Sequence, residues 1–164
     1  MTRTGTLTVS LHGDRDVRTT RVFDAPRGIV FTALTTPRLL TRWMHGPNGW
    51  RLEVCEVDFR VGGAIRYVWR KANGREMGMS GTFLEIEAPG RFVHTERFDD
   101  DWTGGETVVT NVLAEDGGTT TLTVTIRFAS AAARDAALTT GFSGGMEAGY
   151  DTLADQLAAD AAAS

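Results

Sequence analysis

Near the end of the chain, Phe142, Met146, Tyr150, Leu153 and Leu157 recur at steps of four, four, three and four. That spacing places all five on one face of an α-helix. Glu147, Asp151, Asp155 and Gln156 fall on the other faces and are expected in water. A long one-sided helix that closes a chain otherwise patterned for strands must lie against a sheet. Met146 and Tyr150, an adaptable thioether and a ring with a polar tip, suit either a packed core or the wall of a pocket.

The rest of the chain supplies that sheet. Leu7, Val9 and Leu11 alternate, His12-Gly13-Asp14-Arg15 interrupts, and Val17 to Phe23 resumes the pattern. This is one interrupted edge strand or a small hairpin. Asp24-Ala25-Pro26 starts a short helix, with Asp24 as cap and Ile29, Val30, Ala33 and Leu34 as its buried face. Thr36-Pro37 opens a second helix through Trp43, ending near His45-Gly46-Pro47-Asn48-Gly49. From Trp50 to Phe128 the period is two. Strand-like runs near 51–59, 63–71, 77–87, 91–98, 106–114 and 119–128 are separated by turn sequences such as Asn73-Gly74 and Asp116-Gly117-Gly118. Leu122, Val124, Ile126 and Phe128 alternate with polar residues, as in an antiparallel sheet covered on one side. A break at Thr139-Thr140-Gly141 precedes the last helix, which Ser143 is expected to cap.

A chain of 164 residues with 41% hydrophobic and 23% charged residues is expected to form one soluble domain over 1–164. The net charge is −4 and the basic residues are scattered, so a nucleic-acid partner is not expected. Cys55 is the lone cysteine, and no spacing of Cys and His suggests a metal site. No apolar run approaches the ~18 residues of a membrane span, and no leader-like run opens the chain. The expectation is a cytoplasmic protein with no cofactor and no membrane partner, either monomer or homodimer.

Several segments are similar to one known family. They are Phe23-Asp24-Ala25-Pro26, Thr35-Thr36-Pro37 leading to Arg42-Trp43, and the run from Cys55-Glu56 through Asp58, Arg60 and Gly62-Gly63. Later come Arg91-Phe92-Val93-His94-Thr95-Glu96, Ala133-Arg134-Asp135-Ala136, and Gly145-Met146-Glu147 with Gly149-Tyr150. The chain resembles the SRPBCC (START/Bet v 1-like) superfamily, and within it proteins related to the C-terminal domain of the activator of Hsp90 ATPase, over roughly residues 17 to 160. The resemblance implies an α+β helix-grip fold. In it, a curved antiparallel sheet of six to seven strands wraps around a long C-terminal helix, with two short helices after the first strand. It also implies a cavity between sheet and helix and, in many members, binding of hydrophobic or amphipathic small molecules. Others act as cyclases, resistance proteins or co-chaperone domains, and no fixed catalytic triad comes with the fold.

Alternation then nominates the cavity wall. With Ile65, Tyr67 and Trp69 inward, Arg66 and Arg70 point out. Met77, Met79, Gly81 and Phe83 share a face, where Gly81 permits a bend or a close approach. If Phe92 and Phe98 face inward, so do His94 and Glu96, whose burial demands partners or water. Asn111 lies on the next strand, but the pattern around it does not fix its register. Trp43, His45 and Trp50 flank the loop that, in this architecture, lies by the cavity entrance. Asp99-Asp100-Asp101 suits a solvated loop, and Ser143 is not in a nucleophile elbow.

The candidate ligand-binding set is Trp43, Tyr67, Trp69, Met79, His94, Glu96, Phe142, Met146 and Tyr150, with no metal ligands. The leading expectation is non-catalytic binding of a small hydrophobic or aromatic molecule. One alternative is a cyclase, hydratase or hydrolase using Glu96 and His94 as acid and base. A second is a module that interacts with an Hsp90-type chaperone. On the terminal helix, Leu153 and Leu157 are expected to anchor, and Phe142, Met146 and Tyr150 to face the cavity beside Gly145 and Gly149.

Overall fold

Eight antiparallel strands form one open sheet that faces a long helix, in a computed structural model describing residues 6–46 and 49–163. The interruption at Gly13 is a turn. Strands β1 (Thr8–His12) and β2 (Asp16–Phe23) form the hairpin, with Thr8 opposite Thr20. This hairpin takes the strand count to eight, above the six to seven read from the sequence. The helices α1 (Arg27–Thr35) and α2 (Pro37–Trp43) follow, sharing Thr36 as their junction. The meander is β3 (Arg51–Val57), β4 (Ala64–Arg70), β5 (Glu76–Glu87), β6 (Arg91–Phe98), β7 (Thr107–Asp116) and β8 (Thr119–Arg127). Helix α3 (Ala131–Leu138) leads to α4 (Phe142–Ala163). The strand order is β1-β2-β8-β7-β6-β5-β4-β3, so the N-terminal hairpin docks on the last strand.

Several helix ends differ from the sequence reading. Asp24 is exposed and does not cap α1. Pro26 is the N-cap residue, its carbonyl accepting from Ile29 and Val30, while the Arg27 amide donates to the Glu115 carboxylate at 2.7 Å. A carboxylate brought from the far end of β7 thus satisfies an orphan N–H and suits the helix dipole. Ile29 is 54% exposed and Phe31 replaces it in the core, because α1 meets the sheet one position round from the expected face. Ser130 caps α3 by accepting from the Ala133 amide, whereas Ser143 lies inside the first turn of α4. Between the two helices Gly141 adopts φ +72°, a left-handed turn that glycine takes without steric cost. The expected end of the loop after α2 includes Pro47 and Asn48, which lie outside the described residues.

The stripe on α4 separates as the side chains suggest. Leu153 is 1% exposed and Leu157 is buried with it in the main core, with Phe23, Val30, Leu40 and Leu122. Burying each leucine contributes about 2 kcal/mol. The opposite flank is less wet than expected. Glu147 accepts from the Leu7 amide at 2.9 Å, Asp151 pairs with Arg21, and Gln156 and Asp160 hold Arg42 of α2. Polar residues on α4 therefore tie it to β2, α2 and the chain before β1, while its apolar stripe covers the sheet. Among the described residues, no helix is long and apolar enough to cross a membrane.

Candidate functional site

The concave face of the sheet and the N-terminal half of α4 enclose a cavity of about 580 Å³. Two indoles of its wall are fixed by their ring N–H groups. Trp43 Nε1 donates to the Ala33 carbonyl at 3.1 Å and Trp69 Nε1 to the Met44 carbonyl at 3.0 Å. These bonds satisfy the donors that burial would otherwise orphan. Trp69 lies parallel to Phe98, 6.4 Å between centroids, and edge-on to Tyr67 at 5.8 Å. On the helix side Tyr150 tilts against Trp43 at 5.9 Å. A Cβ on Gly149 would meet that indole at 3.6 Å, an ordinary contact distance, so Trp43 packs directly against α4 at this point.

Eight of the nine nominated residues face this space: Trp43, Tyr67, Trp69, His94, Glu96, Phe142, Met146 and Tyr150. Met79 does not. It is 1% exposed and sits cross-strand between Tyr67 and Phe98, whose rings take the cavity wall, so it is core packing. Met77, one pair along the same face, reaches the cavity in its stead. Gly81 answers a different need from a ligand's. A Cβ there would lie 2.1 Å from the Thr95 carbonyl oxygen, so the glycine admits the backbone of β6. His45 lines the cavity and accepts at Nδ1 from the Leu52 amide, while Trp50 packs outside it under Lys71 and Arg75.

Trp102 escaped the sequence reading because it lies in the acidic loop before β7. Its ring packs 4.9 Å from Phe98 and 5.8 Å from Phe142, closing the cavity at the α3–α4 turn. The signal was there: a tryptophan among Asp99, Asp100, Asp101 and glycines has no reason to stay in water. The aspartates themselves serve the loop and sheet, Asp99 gripping Arg66 through both carboxylate oxygens and Asp101 accepting from the Gly105 amide.

One wall is polar. His94 Nε2 lies 2.9 Å from Glu96 Oε2, two residues along β6. Asn111, left open in register by its sequence, pairs with Phe92 and Val124 and faces inward, 6% exposed. Its Nδ2 lies 3.4 Å from both the Phe92 carbonyl oxygen and His94 Nδ1. A carbonyl only accepts, so the amide nitrogen of Asn111 is on that side, and it suits a neutral His94 whose Nδ1 accepts. The proton of a neutral His94 then sits on Nε2 and is donated to Glu96. Two phenols complete the surroundings. Burial, with Glu96 adding to it, pushes the Tyr67 and Tyr150 hydroxyls well above the ordinary tyrosine range, so both stay protonated donors. Among the described residues, no group of three or more His, Cys, Asp or Glu is placed to hold a metal ion.

The same architecture recurs in solved structures. A protein of Rhodobacter sphaeroides is 34% identical, with 94% of this chain and 99% of that one covered and a TM-score of 0.90. A protein of Nitrosomonas europaea shares the fold at 22% identity and TM-score 0.81, covering 93% and 99%. An AHSA1 protein of Silicibacter pomeroyi does so at 23% and 0.70, covering 88% and 99%. No curated protein matches the chain. The family model described as Activator of Hsp90 ATPase homolog 1-like protein matches residues 24–158. From Asp24 ahead of α1 to Ala158 on α4, the chain belongs to this family of the SRPBCC superfamily.

Proposed function

We propose that this protein binds a small hydrophobic or aromatic molecule in the cavity between sheet and α4, without transforming it. The observation that carries the reading is the cavity itself. Its 580 Å³ fall within the few hundred to about 1,000 Å³ of small-molecule sites. Its wall is mostly aromatic and aliphatic, with His94, Glu96 and Asn111 as its main polar cluster and His45 and three threonines beside it, the usual balance of a site that takes an apolar body and orients it through a few polar groups. Trp43, Tyr67, Trp69, His94, Glu96, Phe142, Met146 and Tyr150 are the proposed binding residues.

Native mass spectrometry of gently purified protein, with Nile red fluorescence as a neutral apolar reporter, tests this. Binding with a Kd in the micromolar range is expected, and Met146→Trp, which fills the cavity from α4, should weaken it at least about tenfold. Nile red binding that ignores the filling substitution would place the dye on the surface and remove the reading.

A second reading rests on the 2.9 Å contact of His94 with Glu96 facing the cavity. A carboxylate and an imidazole in such contact can act as base and acid on a bound molecule. It requires a ligand that is turned over, and Glu96→Gln must then remove turnover while a neutral ligand keeps its affinity within about tenfold.

A further inference from the structure

The ionisable groups that line the cavity are one-sided. Among the described residues its lining contains no lysine and no arginine, and its titratable groups are His45, Tyr67, His94, Glu96 and Tyr150. The two phenols are protonated, as burial dictates. His45 spends Nδ1 accepting from Leu52, and burial with the nearby Arg51 charge lowers its proton affinity. His94 Nδ1 faces the amide nitrogen of Asn111 at 3.4 Å and its Nε2 faces Glu96 at 2.9 Å, so both ring nitrogens have polar partners. Among the described residues, Glu96 is thus the one carboxylate in the lining of a chamber of aromatic rings that offers it no lysine or arginine. His94 takes one lone pair on Oε2, and a carboxylate offers about four.

We propose that the cavity is selective for protonated amines carrying an apolar or aromatic body, with the ammonium group seated on Glu96. An ammonium N–H completes the charge-assisted hydrogen bonding of the carboxylate, and the faces of Tyr67, Trp69 and Trp43 favour a cation near them. A ligand carboxylate meets the opposite field, with no cation in the wall to receive it. The inference rests on the binding reading above and narrows it to a chemical class.

The test compares three molecules with one body and three heads, 4-phenylbutylamine, 4-phenylbutanol and 4-phenylbutyrate, displacing Nile red at about pH 7.5. The amine is expected to bind at least about tenfold more tightly than the butyrate, with the alcohol between them. Glu96→Gln should cost the amine about tenfold and leave the alcohol within about threefold. The ordering in the native protein needs no variant, so a misfolded Glu96→Gln would not blunt the test. Butyrate binding as tight as amine, or an order unchanged by Glu96→Gln, overturns the selectivity alone. Failure of Nile red and all three molecules to bind overturns the cavity-binding reading, and this inference with it.

Discussion

Arg21 on β2 and Asp151 on α4 meet at 2.8 Å across 130 residues of chain, and the arginine side chain is fully buried. Its Nε and Nη2 have no hydrogen-bond partner among the described residues, so Asp151 is what offsets the burial of the charge. The two halves of the pair are unequal, because the Asp151 side chain is 34% exposed. Removing the carboxylate by Asp151→Ala strands a buried cation and should cost about 3–5 kcal/mol. Arg21→Met leaves a carboxylate that water can reach and an apolar chain of similar length, and should cost less than half as much. Urea denaturation of both variants checks the order.

Close approach at Gly81 gives a second prediction. With the Thr95 carbonyl 2.1 Å from where a Cβ would be, Gly81→Ala forces β5 and β6 apart and should lose about 1–3 kcal/mol. Gly144→Ala is the control, since nothing lies within 4 Å of a Cβ there and the residue is inside α4. It should gain about 0.5–1 kcal/mol. Thermal melts of the two variants should move in opposite directions.

Stability should fall with acid through His45. Burial and Arg51 hold its folded-state pKa below the ordinary 6.5. The unfolded chain therefore takes up a proton that the folded one refuses, and the folded state loses ground as pH drops through 6.5. Above that value the contribution is constant. His45→Asn cannot titrate and keeps an acceptor for the Leu52 amide. Urea midpoints measured from about pH 7.5 to about pH 5 should decline less steeply in this variant.

Burial pushes the Cys55 thiol from its ordinary 9.0 to about 11. Only the thiolate attacks, so at about pH 8 an aromatic disulfide reagent should label the native protein about a hundredfold more slowly than the same chain in denaturant. Rates that match in the two states would show Cys55 to be solvated.

The parts legible in the sequence are those where one pattern acts alone. The regular alternation of β8 and the four-residue steps of α4 fixed which faces met, and Phe142, Met146 and Tyr150 fell on the cavity side while Leu153 and Leu157 went to the core. Arg21 was missed although alternation with Val17, Thr19 and Phe23 puts it inward, because a charge is read as solvent-facing until its partner is known. That partner lies on another element, as do the partners of Glu147 and Arg42. Asn111 was undecidable since Val112, 38% exposed, and buried Val109 are equally apolar, leaving β7 without a polar face to read. Met79 failed for a related reason: alternation gives the face of a sheet but not which side chains on it are overlaid by larger neighbours.

The sheet order sets the sequence of events during synthesis. Asp16 pairs with Arg127, 111 residues later, so the first hairpin has no docking site until β8 has left the ribosome. The meander β3 to β7 pairs between chain neighbours and can assemble as it emerges. For as long as α4 is missing, its concave aromatic face is open to water and to other chains. The wall that later receives a ligand is thus the surface a nascent chain most needs shielded, and it is covered only when the last helix arrives.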